Sequence, residues 1–199
     1  MTSHLLTNAL PSTTLARLTS CLPGTQSYTS DWTLEQLNIL PYQHLLEIGY
    51  GQGKTIHAVT RKLRTGFVAG IDCSVNMYQR ATRRNKRAID QQLLQLHVGH
   101  LYELPYPAHY FHTIYGTNAH YAWKDPQMEF MRLANLLKSG GRLVTILQAQ
   151  PWTQQEKLLR QEAEKLEEDY LAAGLSDIRI RYKDTDPVTS IAITGYKLL

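Results

Sequence analysis

Hydrophobic residues along the chain fall in strand-length runs separated by amphipathic stretches. Apolar runs predict strands at residues 44–49, 67–71, 93–99, 112–118 and 142–148. Between two of them, Ile56, Val59 and Leu63 recur at the helical period of about 3.6 residues. Strands that alternate with helices in this way predict parallel pairing with right-handed crossovers, and helices on both faces of the sheet.

Helix starts are marked by residues that favour the N-cap position. They are predicted at Asp31, Ser74, Asp125 and Thr153, the last opening a capping box with Glu156. Pro126 suits the first helical position after Asp125, and Gly140 and Gly141 predict that this helix ends at Lys138. The helix after the glycines of residues 49–53 is predicted to begin near Gln52.

The C-terminal part predicts one long helix and two closing strands. The helix carries an apolar stripe at Leu159, Ala163, Leu166 and Tyr170 and is ended by Gly174. Strands are predicted at residues 178–183 and 190–197, and their short link at 184–187 indicates an antiparallel pair. The whole pattern predicts a Rossmann-like, doubly wound α/β fold with a mostly parallel seven-stranded sheet whose last strand is antiparallel.

The length of 199 residues fits a single domain. Residues 1–30 are predicted to form a cap with a short helix at 14–20, residues 31–150 a ligand-binding core, and residues 151–199 the closing helix and strands.

The segment of residues 45–54 ends an apolar run with an acidic residue and three alternate glycines. Gly49, Gly51 and Gly53 permit a tight turn and close approach of a ligand to the backbone, and the next helix points its free N–H groups at that turn. Asp72 ends the second strand, 25 residues after Glu47 (72 − 47). A carboxylate at that tip suits a ribose diol, so the series predicts a nucleotide or nucleoside site. A Walker loop and a dinucleotide fingerprint are disfavoured, because neither spacing is present.

These motifs resemble the class I S-adenosylmethionine-dependent methyltransferases. The opening motif is Glu47-Ile-Gly-Tyr-Gly-Gln-Gly53, and the later matches follow in the family's order over residues 31–150. They are Gly70-Ile-Asp-Cys-Ser-x-x-Met77, Gly99-His-Leu101 with Leu104-Pro-Tyr-Pro107, and Leu136-Leu-Lys-Ser-Gly-Gly-Arg-Leu-Val144. Asn118-Ala-His-Tyr-Ala-Trp-Lys-Asp-Pro126 is closest to a bacterial branch of the family that has Asn-x-x-Tyr-Phe-Trp-x-Asp-Pro after its fourth strand.

The resemblance implies S-adenosylmethionine as the cofactor, S-adenosylhomocysteine as the product, and a set of cofactor-binding residues. That set is Glu47, Gly49, Tyr50, Gly51, Gly53, Asp72, Cys73, Met77, His100, Leu101 and Asn118. Asp72 is expected to accept hydrogen bonds from the ribose hydroxyls, the alternative being that it caps the next helix. Glu47 either faces the methionine part or orders the glycine turn, and Tyr50 either lines the pocket or packs in the core.

Two histidines depart from the family's pattern. His100 stands where an Asp usually accepts a hydrogen bond from the adenine amino group, which leaves adenine recognition open, although the backbone N–H of Leu101 remains available. His112 stands where an Asp commonly follows Phe111, with an effect expected on the fold. The resemblance places His120, Tyr121 and Trp123 beside the acceptor, where His120 is a candidate general base and the aromatic loop could alternatively only close the pocket.

The predicted reaction is methyl transfer to an O, N, S or C nucleophile of a small molecule. A noncatalytic protein that binds S-adenosylmethionine or a nucleoside, and a nucleic-acid methyltransferase, are the alternatives. The second would use the basic cluster Arg80, Arg83, Arg84, Lys86 and Arg87, within a net charge of +4, but a solvated helix face is the favoured interpretation.

The remaining features exclude other classes. The pairs His97/His100 and His109/His112 lack a completing ligand set, so no metal site is expected. Only Cys21 and Cys73 are present, which fits a reducing compartment. No apolar run reaches membrane-spanning length and no signal sequence is recognised, so a cytoplasmic location is expected.

Overall fold

The computed structural model describes residues 31–149, 156–183 and 189–198. The helices are α1 Asp31–Leu37, α2 Lys54–Thr60, α3 Val75–Arg84, α4 Lys86–Asp90, α5 Pro126–Leu136 and α6 Glu156–Ala172. The strands are β1 His44–Ile48, β2 Phe67–Asp72, β3 Leu94–Val98, β4 Phe111–Thr117, β5 Leu137–Gln148, β6 Leu175–Lys183 and β7 Ser190–Lys197. Two 3₁₀ turns lie at Leu101–Glu103 and Ala119–Ala122. The predicted helix at 14–20, the capping residue Thr153 and the link at 184–187 lie outside the described residues.

The seven strands form one sheet in the order β3-β2-β1-β4-β5-β7-β6, and β7 is antiparallel to both of its neighbours. This confirms the predicted fold class. The chain builds the sheet outward from β1 in both directions, because β1 pairs in parallel with β2 on one side and with β4 on the other. The strand order therefore switches between β1 and β4, where ligands of such sheets bind beyond the carboxyl ends of the strands.

Alternate residues of the strands supply two separate apolar layers, one on each face of the sheet. Leu45 and Val144 pack on one face with α1, α2 and α3, whereas Leu46 and Leu143 pack on the other with α5 and α6. The stripe predicted for the long helix is confirmed, since its members are buried in the second layer: Leu159, Ala163, Leu166 and Tyr170.

Four predicted boundaries differ from the structure. The first helix after the glycines begins at Lys54, two residues after Gln52. Helix α5 ends at Leu136 because Leu137 already pairs with Phe111 of β4, so β5 begins five residues before the predicted position 142. Strand β6 begins at Leu175 instead of residue 178, because Leu175 pairs with Lys197.

The predicted caps of two helices are confirmed. The Ser74 hydroxyl accepts a hydrogen bond from the Met77 N–H (3.4 Å), and an Asp125 carboxylate oxygen accepts one from the Met128 N–H (3.1 Å), with Pro126 at the first helical position. Asp31 is itself the first residue of α1.

His112 acts in the fold, by joining the starts of β1 and β4. Its Nδ1 accepts a hydrogen bond from the His44 N–H at 3.0 Å, and the two rings meet edge to face. Burial and then Lys138 lower the pKa of both imidazoles below the ordinary value, and His44 lowers that of His112 further.

We expect these histidines to make the protein acid-sensitive. A lowered folded-state pKa means that the unfolded chain binds protons first, so stability is lost as pH falls through the ordinary histidine pKa of about 6.5. His112→Asn keeps an acceptor for the His44 N–H but cannot be protonated. Thermal unfolding between pH 5 and 8 should show a shallower loss in His112→Asn than in the wild type. The exposed His109, changed to Asn, is the control, and equal slopes in all three proteins would contradict the prediction.

Candidate cofactor and acceptor site

The predicted polar residues meet at the carboxyl edge of the sheet. Glu47 lies near the end of β1, Asp72 ends β2, His100 follows β3 by two residues, and Asn118 directly follows β4. This edge is formed by the four strands around the switch point between β1 and β4. The structure therefore brings the predicted positions to one rim, although their side chains do different things.

The glycine turn has a backbone that only glycine adopts readily. Gly49, Gly51 and Gly53 have φ values of 70°, 52° and 72°. The Gly49 N–H donates to the Ile71 carbonyl at 2.8 Å, which ties the turn to β2. A Cβ added at Gly51 would meet no described atom within 4 Å. The outer side of the turn therefore leaves room for a ligand beside the backbone.

Asp72 anchors this turn through its carboxylate. One oxygen accepts a hydrogen bond from the Gly51 N–H (2.8 Å) and the other accepts one from the Ser74 N–H (2.9 Å). Burial raises the pKa of Asp72, and the two backbone hydrogen bonds oppose that rise. The helix cap itself is Ser74, so Asp72 supports the approach to α3 while each oxygen keeps acceptor capacity for a ligand.

Glu47 is buried, with only 5% of its surface exposed. The Tyr115 hydroxyl donates to its Oε2 at 3.0 Å. Burial raises the pKa of the Glu47 carboxyl well above its ordinary value, the Tyr115 hydrogen bond lowers it, and Asp72 raises it further. This contact joins β1 to β4 and does not involve the glycine turn, so both roles expected for Glu47 stay predictions.

We expect Glu47→Gln to stabilise the protein at neutral pH. A raised folded-state pKa means that Glu47 costs no stability below its unfolded pKa of about 4.5, and destabilises as pH rises toward the folded value. The Gln carbonyl can still accept the Tyr115 hydrogen bond. The melting temperature at pH 7.5 should rise by about 2–4 °C, the effect of roughly 1 kcal/mol in a domain of this size, and the gain should vanish near pH 4.5. The exposed Glu35→Gln is the control, and a lower melting temperature for Glu47→Gln at pH 7.5 would refute the assignment.

Tyr50 is a core residue, so the packing alternative is the one observed. Only 3% of its surface is exposed, and its hydroxyl donates to the His97 carbonyl at 3.0 Å. Its ring occupies the space that a side chain at Gly70 would take, because a Cβ there would lie 2.8 Å from the Tyr50 Cδ1. The ring therefore packs in the fold, and contact of Tyr50 with the cofactor stays a prediction.

The rim after β2 and β3 is exposed. Cys73 and His100 lie on the surface, Met77 is partly buried against the α1–α3 layer, and Leu101 is buried. Sequence reasoning missed Glu103 here. Its Oε2 accepts a hydrogen bond from the N–H of His100, three residues earlier in the chain, at 2.6 Å.

Asn118 is a structural clamp, and its contact with the cofactor stays a prediction. It adopts the left-handed conformation, with φ of 53°. Its side-chain amide donates to the Gln148 carbonyl (3.1 Å), and its Oδ1 accepts a hydrogen bond from the Gln148 N–H (3.0 Å). The side chain thereby continues the β4–β5 ladder beyond the end of β4.

The three predicted acceptor-side residues have different surroundings in the structure. Trp123 packs edge to face on Phe130 at 4.9 Å between ring centroids, so it belongs to the core around α5. His120 is buried and its Nε2 lies 3.2 Å from Oε1 of Glu162 on α6. Tyr121 is half-buried, and its ring lies 4.0 Å from that of His120. Glu162 was missed because nothing in the sequence links it to a residue so far away along the chain.

Other candidate features find structural partners. His97 Nε2 lies 2.9 Å from the Tyr106 hydroxyl, and among the described residues no group of three His, Cys, Asp or Glu side chains could hold a metal ion. The five cations of the basic cluster are exposed on α3 and α4; Arg84 donates to the Gln52 carbonyl and Lys86 pairs with Asp90. No helix in the described part of the chain is long and apolar enough to cross a membrane.

Comparison with known proteins agrees with this arrangement. Residues 45–141 match a family described as a methyltransferase domain. The match spans 97 residues (141 − 45 + 1), just under half of the chain, and includes β2 to β4 and the glycine turn.

Individual relatives are similar over most of this chain. An uncharacterized methyltransferase of Bacillus subtilis, YdaC, is 26% identical over 84% of this chain and 91% of its own length. A candidate S-adenosyl-L-methionine-dependent methyltransferase of Methanococcus maripaludis has the same fold (TM-score 0.70, 17% identity), covering 85% of this chain and 83% of that one. Phosphoethanolamine N-methyltransferase 2 of Haemonchus contortus, solved with phosphomonomethylethanolamine and S-adenosylhomocysteine, has a TM-score of 0.67 at 16% identity. The similarity covers 83% of this chain and 51% of the Haemonchus chain.

Proposed function

We propose that this protein transfers a methyl group from S-adenosylmethionine to an O, N, S or C nucleophile of a small-molecule acceptor. The observation that carries the proposal is the glycine turn at the switch point, held open by its own positive-φ backbone and by the Asp72 carboxylate. The methyltransferase family match covers this turn and the strands on both sides of it.

The residues at this rim fit the cofactor. The free side of Gly51 would admit the ligand against the backbone, and Asp72 retains lone pairs for the ribose hydroxyls. Exposed His100 and the turn at Leu101–Glu103 would border the adenine. When bound, S-adenosylmethionine supplies a methyl group already activated by a positively charged sulfur. This chain then has to hold an acceptor in line with that group and exclude water.

The acceptor side is formed by the turn after β4. His120 and Tyr121 lie there, and Asn118 fixes the start of the turn against β5. A small acceptor is favoured by the resemblance to the Haemonchus protein, whose bound phosphomonomethylethanolamine is a small molecule. The basic cluster points to no second function, because the cations lie on the exposed faces of α3 and α4 and two of them are already bonded within the chain.

The test has two stages. Calorimetric titration with S-adenosylmethionine and S-adenosylhomocysteine should show saturable, micromolar binding. Methyl-labelled S-adenosylmethionine is then incubated with a bacterial extract that has been separated into low-molecular-weight and nucleic-acid fractions. Label in the first fraction supports the proposal. Label in nucleic acid, or binding with no transfer to any fraction, would replace it with one of the two alternatives.

A further inference from the structure

The strongest unexplained feature is the buried imidazole of His120. The residue is 5% exposed and lies in the 3₁₀ turn directly after β4. Within the described part of the chain, neither ring nitrogen has a well-aligned hydrogen-bond partner. A buried polar group left in this state costs about 1–3 kcal/mol, so a fold that keeps one there without use is at a disadvantage.

A charged group, the carboxylate of Glu162, lies beside this ring. Its Oε1 lies 3.2 Å from Nε2, off the N–H direction, and its side chain is 27% exposed. Contact with His120 holds the pKa of Glu162 below its ordinary value, against the effect of burial. Glu162 is therefore an anion at neutral pH and favours the tautomer with a proton on Nε2. That tautomer leaves the lone pair on Nδ1.

The turn that carries His120 borders the glycine turn. The neighbouring residue, Ala119, lies against the glycine turn, since its Cβ is 3.6 Å from the position of a Cβ added at Gly49. The Tyr121 ring packs against the imidazole. The turn therefore borders the glycine turn through Ala119 and α6 through His120, whose charged partner is Glu162.

We propose that Glu162 is a positioning residue that fixes the tautomer and orientation of His120, so that Nδ1 takes the proton lost by the acceptor. This rests on the proposed function. As the acceptor's electron pair forms the new bond to the methyl carbon, the carbon–sulfur pair stays with sulfur and the acceptor proton passes to Nδ1. The resulting imidazolium is paired with the Glu162 carboxylate, which balances the charge.

The first test reads the tautomer and needs neither cofactor nor acceptor. Proton–nitrogen correlation spectra of ¹⁵N-histidine-labelled protein should show His120 protonated on Nε2 in the wild type and a mixture of tautomers in Glu162→Ala. Glu162→Gln, which keeps an acceptor atom without the charge, should retain the Nε2–H form. Glu164→Ala removes an exposed carboxylate from the same helix and should change nothing. An Nδ1–H tautomer in the wild type, or no response to Glu162→Ala, overturns the proposal.

The second test separates positioning from binding. With methyl-labelled S-adenosylmethionine and the low-molecular-weight extract fraction, Glu162→Ala should lower kcat about 10- to 100-fold. The KM for S-adenosylmethionine and the affinity for S-adenosylhomocysteine should stay within about twofold of the wild type, and unchanged kcat overturns the proposal. If the wild type binds no S-adenosylhomocysteine, that result contradicts the proposed function independently of the tautomer result. If the extract yields no product, the tautomer result alone decides whether Glu162 positions His120.

Discussion

Asp72→Ala is expected to weaken S-adenosylhomocysteine binding by about ten- to a hundredfold. Charge-assisted hydrogen bonds are worth about 1.5–3 kcal/mol each, and each 1.4 kcal/mol is a factor of about ten in affinity. Part of the loss will be indirect, because the same carboxylate holds the Gly51 and Ser74 N–H groups. Calorimetry on both proteins measures the effect.

Two further variants serve as comparisons for Asp72→Ala. Asp72→Asn keeps one carbonyl acceptor and should lie between the wild type and Asp72→Ala in affinity. Asp90→Ala removes an exposed carboxylate at the end of α4 and should bind like the wild type. Wild-type affinity in Asp72→Ala would show that this carboxylate only supports the turn and contacts no ligand.

Gly53→Ala should have the largest effect on stability. A Cβ at this position would lie 2.6 Å from the Asn85 Nδ2 and 2.9 Å from the Ala81 Cβ, on a backbone with φ of 72°. Asn85 bonds the carbonyls of Gly53 and Ala81 through that nitrogen, so the clash would break a buried contact between the turn and α3. We expect a loss of about 2–4 kcal/mol, seen as a melting temperature lower by roughly 4–16 °C.

Alanine variants of two other glycines distinguish the effect of backbone strain from that of steric overlap. Gly51 and Gly174 also have positive φ, but a Cβ added at either would meet no described atom within 4 Å. Gly174→Ala should therefore cost only about 1–2 kcal/mol, and Gly51→Ala a similar amount together with weaker ligand binding. Equal stability losses at all three positions would mean that the contact with Asn85 has no part in the effect.

Local patterns were sufficient for most of the fold. The apolar runs and cap residues predicted the strand and helix sequence, and Ser74 and Asp125 cap their helices as expected. The start of β5 could not be predicted this way. Residues 138–141 have the composition of a turn, but Leu137 pairs with Phe111, and a Cβ at Gly141 would lie 2.8 Å from the Lys138 carbonyl. That strand start depends on a partner strand that the local sequence does not contain.

For the site, the sequence predicted positions better than roles. Glu47, Asp72 and Asn118 lie at the predicted rim, but hydrogen bonds from distant residues decide what each side chain does. Tyr50 follows the first glycine and suggests a pocket residue, yet the missing side chain at Gly70 creates the space that buries it. Each of these roles depends on two residues that are distant in sequence.

The Asn118 clamp also restricts how such a site can change during evolution. Asn118 directly follows β4, and both ends of its amide are engaged with the Gln148 backbone. A substitution there would remove both of these hydrogen bonds between the end of β4 and β5. Under the proposed function, we expect variation in acceptor chemistry further along the turn, at His120 and Tyr121, and at Glu162 of α6. Divergence among relatives should accordingly concentrate at those positions, while residue 118 stays able to bridge the two strands.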